Sequence, residues 1–168
     1  MTQIIDLRVA MRRVPSVVTV VTYLSEGTTM GMTIGSLTSV SLEPPLISFN
    51  VGVQSRAYTR MKVGTCVAVH VLSADRSDLS NRFARSYAEA ELEFDGLHIT
   101  TWSEDSLKVL EEGFVTRMMG RVVSVAPAGD HHLILVEVGE ITDGPDETAP
   151  LLYYNRAYVA PGRSSDQG

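Results

Sequence analysis

The chain has 168 residues, 44% of them hydrophobic and 20% charged, with a formal net charge of −6 at pH 7. That length suits one domain with a sizeable hydrophobic core, and the acidic balance excludes the basic stripe of a nucleic-acid binder. A single cysteine, Cys66, excludes an internal disulfide and a cysteine-cluster metal site, and no apolar run reaches the length of a membrane span. No basic segment leading into an apolar core marks a signal peptide, so the expectation is a cytoplasmic protein with neither a nucleic-acid nor a membrane partner. Residues 1–160 are expected to form one domain and 161–168 a disordered tail.

Ile4, Leu7, Met11 and Val14 fall at helical spacing, which predicts an amphipathic helix over 3–13 that Pro15 ends. Residues 17–23 are β-branched and read as a strand, 25–28 as a turn, and 29–41 as a returning antiparallel strand. Pro44 and Pro45 stop that ladder, and 46–51 is the next strand. Ser55 can cap a short helix over 56–62. Residues 65–72 form another strand, in which Cys66 reads as buried and inert and His70 as a satisfied strand residue. A helix capped by Asp75 follows through residue 84, with Leu79 and Phe83 on one face. Residues 85–104 are mixed and polar, with a turn at 94–96, and 106–112 reads as a short helix. Long strands over 114–126 and 131–138 flank a tight turn at 127–130, and short strands at 151–154 and 157–159 follow an acidic loop. With about six or seven mostly antiparallel strands and about three short helices, the fold expected is a mainly β, closed or partly closed barrel.

Two stretches carry candidate chemistry. From Gly31 to Leu46 the side chains are small, hydroxylic or apolar, with no charge before Glu43. Gly35 and Ser36 leave room against the backbone, so a flat polar ligand could lie there; an ordinary Ser/Thr-rich hairpin gives the same pattern. Ser55 and Arg56 offer a hydroxyl and a guanidinium to an anion, or are a plain cap beside a surface arginine. His131 and His132 are neighbours in a strand and point to opposite faces, so they do not easily ligate one metal. No G-x-G-x-x-G, Walker loop, H-E-x-x-H or G-x-S-x-G occurs. A Ser36/His131/Asp130 hydrolase set is reached only by choosing freely among many serines.

Four segments in order, residues 11–22, 31–46, 67–84 and 128–131, together with 150–154, give the chain a familiar pattern. It resembles the flavin reductase-like family, the NAD(P)H:flavin reductases that serve two-component monooxygenases. The most specific parts are Gly31-Met-Thr-Ile-Gly-Ser-Leu-Thr-Ser-Val-Ser-Leu-Glu-Pro-Pro-Leu46 and Gly129-Asp-His131, and the match spans about residues 7–160. The resemblance implies an FMN-binding split β-barrel, an antiparallel Greek-key barrel with a few short helices, working as a homodimer. It implies FMN or FAD as flavin, NADH or NADPH as hydride donor, and a monooxygenase that receives reduced flavin. By position it implies Thr33, Ile34, Gly35 and Ser36 beside the isoalloxazine, with Ser39 near. Ser48 and Asn50 would flank its polar edge, Ser55 and Arg56 would hold the phosphate with Arg82 helping, and His131 and Tyr154 would lie at the nicotinamide. His131 is expected to position that ring. His70 stands where the family usually has Asn, and Val17 where it usually has Gly. A protein of the same fold with tightly held flavin, a carrier or a dedicated biosynthetic oxidoreductase, is the alternative.

Overall fold

The computed structural model describes residues 6–85, 90–102 and 105–162, so most of the expected tail lies outside the described residues. In chain order the elements are α1 (Leu7–Met11), β1 (Ser16–Val17), β2 (Thr19–Ser25), β3 (Thr28–Ile34), β4 (Thr38–Leu42) and β5 (Pro45–Gly52). There follow β6 (Cys66–Leu72), α2 (Ser77–Phe83), a 3-10 turn (Ala90–Glu93), β7 (Ile99–Trp102) and β8 (Leu107–Leu110). The chain ends with β9 (Phe114–Ala128), β10 (His131–Asp143), β11 (Leu152–Tyr154) and β12 (Ala157–Val159). Seven strands form one antiparallel sheet in the order β3-β2-β6-β9-β10-β5-β4; β1, β11 and β12 form a small sheet, and β7 with β8 a hairpin.

The mainly β, antiparallel fold is as expected, but of the closed or partly closed barrel the closed form does not occur. The sheet has two free edges, β3 and β4, joined by residues 35–37 without a ladder between them. The single strand expected over 29–41 is therefore two, because the chain leaves its pairing with β2 at Ile34 and resumes pairing with β5 at Thr38. In the gap, Ser36 Oγ accepts the Asn50 N–H at 2.9 Å in place of a ladder bond. The sheet nevertheless curls around one core, since Val21, Phe49, Val51, Val67, Val69, Ile134 and Val136, drawn from four strands, pack into one cluster.

β6 is buried along its whole length, which accounts for its unbroken apolar run. Its outer face meets Leu107 and Val109 of β8 through Cys66 and Ala68, and Leu79 and Phe83 of α2 through Leu72. The helix expected over 106–112 is thus a strand: Leu107 and Val109 alternate onto that face, and the Lys108 N–H donates to Thr29 Oγ1 at 3.0 Å. The helix expected over 56–62 is a run of turns. Ser55 Oγ caps the Ala57 N–H at 3.2 Å, but the bonds from Tyr58 and Arg60 reach back only three residues. The amphipathic helix at the start is short and buries none of its residues. α2 begins at Ser77 with Arg76 in the cap position and no side-chain cap, so Asp75 does not serve as one.

His70 is fully buried and satisfied on both ring nitrogens. The Leu110 N–H donates to Nε2 at 3.1 Å, so Nδ1 carries the proton and donates to the Val20 carbonyl at 3.1 Å. Burial pulls its pKa down to about 3, the Val20 bond opposing and Arg117 assisting. The unfolded chain therefore binds a proton below the ordinary value of 6.5 that the folded chain refuses, and stability is lost as pH falls through that window. Relative to His70→Gln, wild-type unfolding free energy should fall by about 1.4 kcal/mol per pH unit between pH 6 and 4. Urea denaturation across that range measures it; equal slopes in the two proteins would contradict this assignment.

Candidate functional site

A cleft of about 620 Å³ runs beside the free edge of β3. Gly31 to Ser36 form one wall, Asn50 and Gly52 come from β5, and Gln54, Ser55 and Arg56 from the turns that follow it. Phe83, Ala84 and Arg85 close it from the end of α2, with Tyr23 beneath and His131 at the start of β10.

The wall is usable because β3 pairs on one side only. The Gly31 N–H points away from β2 and donates to Glu93 Oε2 at 2.7 Å. Backbone directions alternate along a strand, so the N–H and C=O of Thr33 face that same edge. Thr33 Oγ1 donates to the Ser80 carbonyl at 2.7 Å, which ties α2 to the strand. Gly31 is required here for lack of bulk: a Cβ would run into the Phe83 ring.

At one end, Arg56 Nη2 donates to Glu93 Oε1, a carboxylate with no exposure to solvent. Burial pushes the Tyr23 phenol up to about 12, with Arg56 opposing and Glu93 adding to the shift, so Tyr23 stays protonated at neutral pH. Arg85 on the rim is exposed and has no side-chain hydrogen bond or ion pair among the described residues. At the other end, His131 Nδ1 lies 2.6 Å from Asp130 Oδ1, and that bond holds the Asp130 carboxyl below its ordinary range. The Nε2 edge of the ring rests on Gly52, where a Cβ would come within 3.3 Å. His132 points the other way and stacks on Tyr58 at 3.8 Å between ring centres.

Of the residues singled out in the sequence, Thr33, Ile34, Gly35, Ser36, Asn50, Ser55, Arg56 and His131 line the cleft. Ser39, Ser48, Arg82 and Tyr154 do not. Ser48 is buried in β5, Ser39 lies on exposed β4, and Arg82 donates to the Asp95 carbonyl at 2.6 Å. Tyr153, not Tyr154, lines an adjoining hollow of about 250 Å³ that shares Thr33, Ile34 and Gly35 with the cleft. Tyr158 lines it too, donating to Asn81 Oδ1 at 3.1 Å. Sequence reading missed Tyr23, Phe83, Arg85 and Glu93. Arg85 stands just past the segment that carries the resemblance, but nothing in the spacing marks Glu93 as buried. Among the described residues no His/Cys/Asp/Glu group has metal-binding geometry, and no helix is long and apolar enough to cross a membrane.

An open antiparallel sheet with a backbone-walled cleft that also holds a guanidinium and a histidine–aspartate pair has the lining of a small-molecule site. The chain belongs to the flavin reductase-like family: the model of the flavin reductase like domain matches residues 11–162. It is 36% identical over 160 residues to an NADH:FMN oxidoreductase of Rhodococcus qingshengii, covering 93% of this chain and 81% of that protein. It is 30% identical to the reductase component of a flavin-dependent trigonelline monooxygenase of Acinetobacter baylyi, covering 95% of this chain and 50% of that one. The fold superposes with a TM-score of 0.84 and 28% identity on the NADH:FAD oxidoreductase of Streptomyces globisporus in complex with NAD and FAD fragments, covering 95% of this chain and 93% of that one.

Gly31→Ala should lower stability by about 1–3 kcal/mol at unchanged m-value, because Phe83 and the end of α2 must give way. A denaturation midpoint equal to wild type would mean that Phe83 turns aside without cost.

Proposed function

We propose that the protein is an NAD(P)H-dependent flavin reductase that moves hydride from a nicotinamide to FMN or FAD and supplies reduced flavin to a partner monooxygenase. The observation that carries this reading is the cleft along the free edge of β3, which puts a backbone wall, Ser55–Arg56 and His131 around one space. A flavin fits the residues present: about 620 Å³ is ample for a cofactor, the wall offers the backbone N–H and C=O of Thr33 and of the unpaired residues that follow Ile34, and the guanidiniums of Arg56 and Arg85 suit a phosphate. When bound, the two cofactors supply hydride transfer between their rings.

The protein's part is binding and alignment. Gly31 to Ser36 and Asn50 border the flat ring through backbone and amide groups, while Ser55 and Arg56 receive the phosphate. Asp130 fixes the His131 ring from Nδ1, which leaves Nε2 to position the nicotinamide. Tyr23 stays protonated and so adds no charge beneath the ring. Ser39, Ser48, Arg82 and Tyr154 remain candidates for contacts that one chain alone does not complete.

The finer architecture belongs to the same proposal: a split barrel, a homodimer and a cytoplasmic location. The two free sheet edges and the single core inside the curl support a split barrel. Support for a dimer comes from apolar surface left uncovered on edge strand β4, where Leu42 is 89% exposed and Val40 52%.

Anaerobic oxidation of NADH and NADPH, with and without added FMN or FAD, tests the activity. Turnover of many equivalents that depends on added flavin is expected; retained flavin that ignores added flavin would replace this reading by a tightly bound flavoprotein, and no flavin binding would end it. His131→Asn should lower kcat/KM for NADH about tenfold, through misplacement of the nicotinamide, with a smaller change in flavin KM. Steady-state kinetics with each substrate varied in turn separates the two; equal loss on both would remove His131 from the nicotinamide.

A further inference from the structure

Glu93 lies behind the cleft wall, wholly out of solvent, on the 3-10 turn that packs against β3. Its two oxygens are divided. Oε2 accepts the Gly31 N–H at 2.7 Å, and Oε1 takes the Arg56 guanidinium. A carboxylate in that position cannot be hydrated and cannot swing away, so it needs the cation it holds. Arg56 is 30% exposed at its side chain and faces the cleft with its charge already answered from below. Arg85, on the other rim, carries no such partner among the described residues. Among the described residues the two guanidiniums of the cleft are therefore unequal: Arg85 has no carboxylate against it, and Arg56 is a fixed donor whose charge is opposed by Glu93.

We infer that Glu93 is a positioning residue that weakens the hold of the cleft on a ligand phosphate, so that flavin exchanges instead of staying bound. This rests on the reading that Arg56 meets the flavin phosphate. Two effects compete. Fixing Arg56 in place favours binding, and neutralising it opposes binding. The first is small, because most of the Arg56 side chain is already covered by the wall and has little freedom left to lose. The second is large, because a carboxylate shut away from solvent acts on an incoming anion without the screening that water gives.

The test compares FMN with riboflavin, which has the same ring and no phosphate, as acceptors from NADH in wild type, Glu93→Gln, Arg56→Gln and the double variant. Gln at 93 retains an oxygen for the Gly31 N–H and loses the charge. The readout is the ratio of riboflavin KM to FMN KM. Glu93→Gln should raise that ratio about tenfold, Arg56→Gln should lower it, and the double variant should show no gain over Arg56→Gln. The double variant also leaves no lone carboxylate in the interior. A purely structural Glu93 would change both KM values together and leave the ratio alone. A ratio that is unchanged or lower in Glu93→Gln, while Arg56→Gln still moves it, overturns the inference and leaves the phosphate reading standing. A ratio indifferent to Arg56→Gln overturns the phosphate reading itself. Should Glu93→Gln fail to fold, Glu93→Asp keeps the charge but is one methylene too short to serve both partners. Its ratio should rise less, and an unchanged ratio there counts against the inference.

Discussion

A strand at the edge of a sheet carries a row of N–H and C=O groups that must be paired, covered or hydrated. β3 is such a strand, and the site follows from how its free side is satisfied. Glu93 takes the Gly31 N–H, α2 covers the middle through the Thr33–Ser80 bond, and what remains opens into the cleft. Sheet closure would have consumed those groups. The chain leaves β3 at Ile34 and turns into β4, with Ser36 accepting from Asn50 of β5 on the way, so the edge survives and the space beside it becomes a pocket.

Holding that edge open requires a rigid backing. β6 provides it, buried on both faces between the central core and the layer formed by α2 and β8. The polar group accepted within it, His70, bonds Val20 on β2 and Leu110 on β8 and so joins sheet to hairpin through one neutral imidazole. A neutral ring with two backbone partners is compatible with a dry interior, whereas a charged one is not. Phe83 continues the same layer to the cleft, where it presses on Gly31 and meets Phe94 edge to face at 5.4 Å.

The long β-branched runs were legible because each makes its own argument: β2, β5, β6 and β9 fall close to where alternation and composition place them, whereas β10, expected over 131–138, runs on to Asp143 in its pairing with β9. Residues 106–112 were misread because Leu107, Val109 and Leu110 satisfy period 2 as well as a short helical face, and only the waiting surface of β6 settles which period is used. The turns after Ser55 carried a good cap but too few residues to nucleate a helix. That Thr33 to Ser36, Asn50, Ser55, Arg56 and His131 share one cleft was legible from motif position, because the resemblance covers the strand ends that bring them together. Glu93 was not. Its partners are 62 and 37 residues away, so its burial is a property of the assembled sheet and leaves no local mark.

The overall charge of −6 does not oppose an anionic ligand at this cleft as strongly as the sum implies. Charges on the far surface are screened beyond about 8 Å at physiological ionic strength, so an approaching phosphate responds to the groups on the rim. There Arg85 is exposed and unpaired among the described residues, while Arg56 is compensated from beneath by Glu93. On the proposed reading, that inequality of the two guanidiniums is what lets an anion be drawn in without being trapped. A single buried carboxylate thus links the backbone geometry of β3 to the electrostatics of the cleft, and neither can be changed through Glu93 without changing the other.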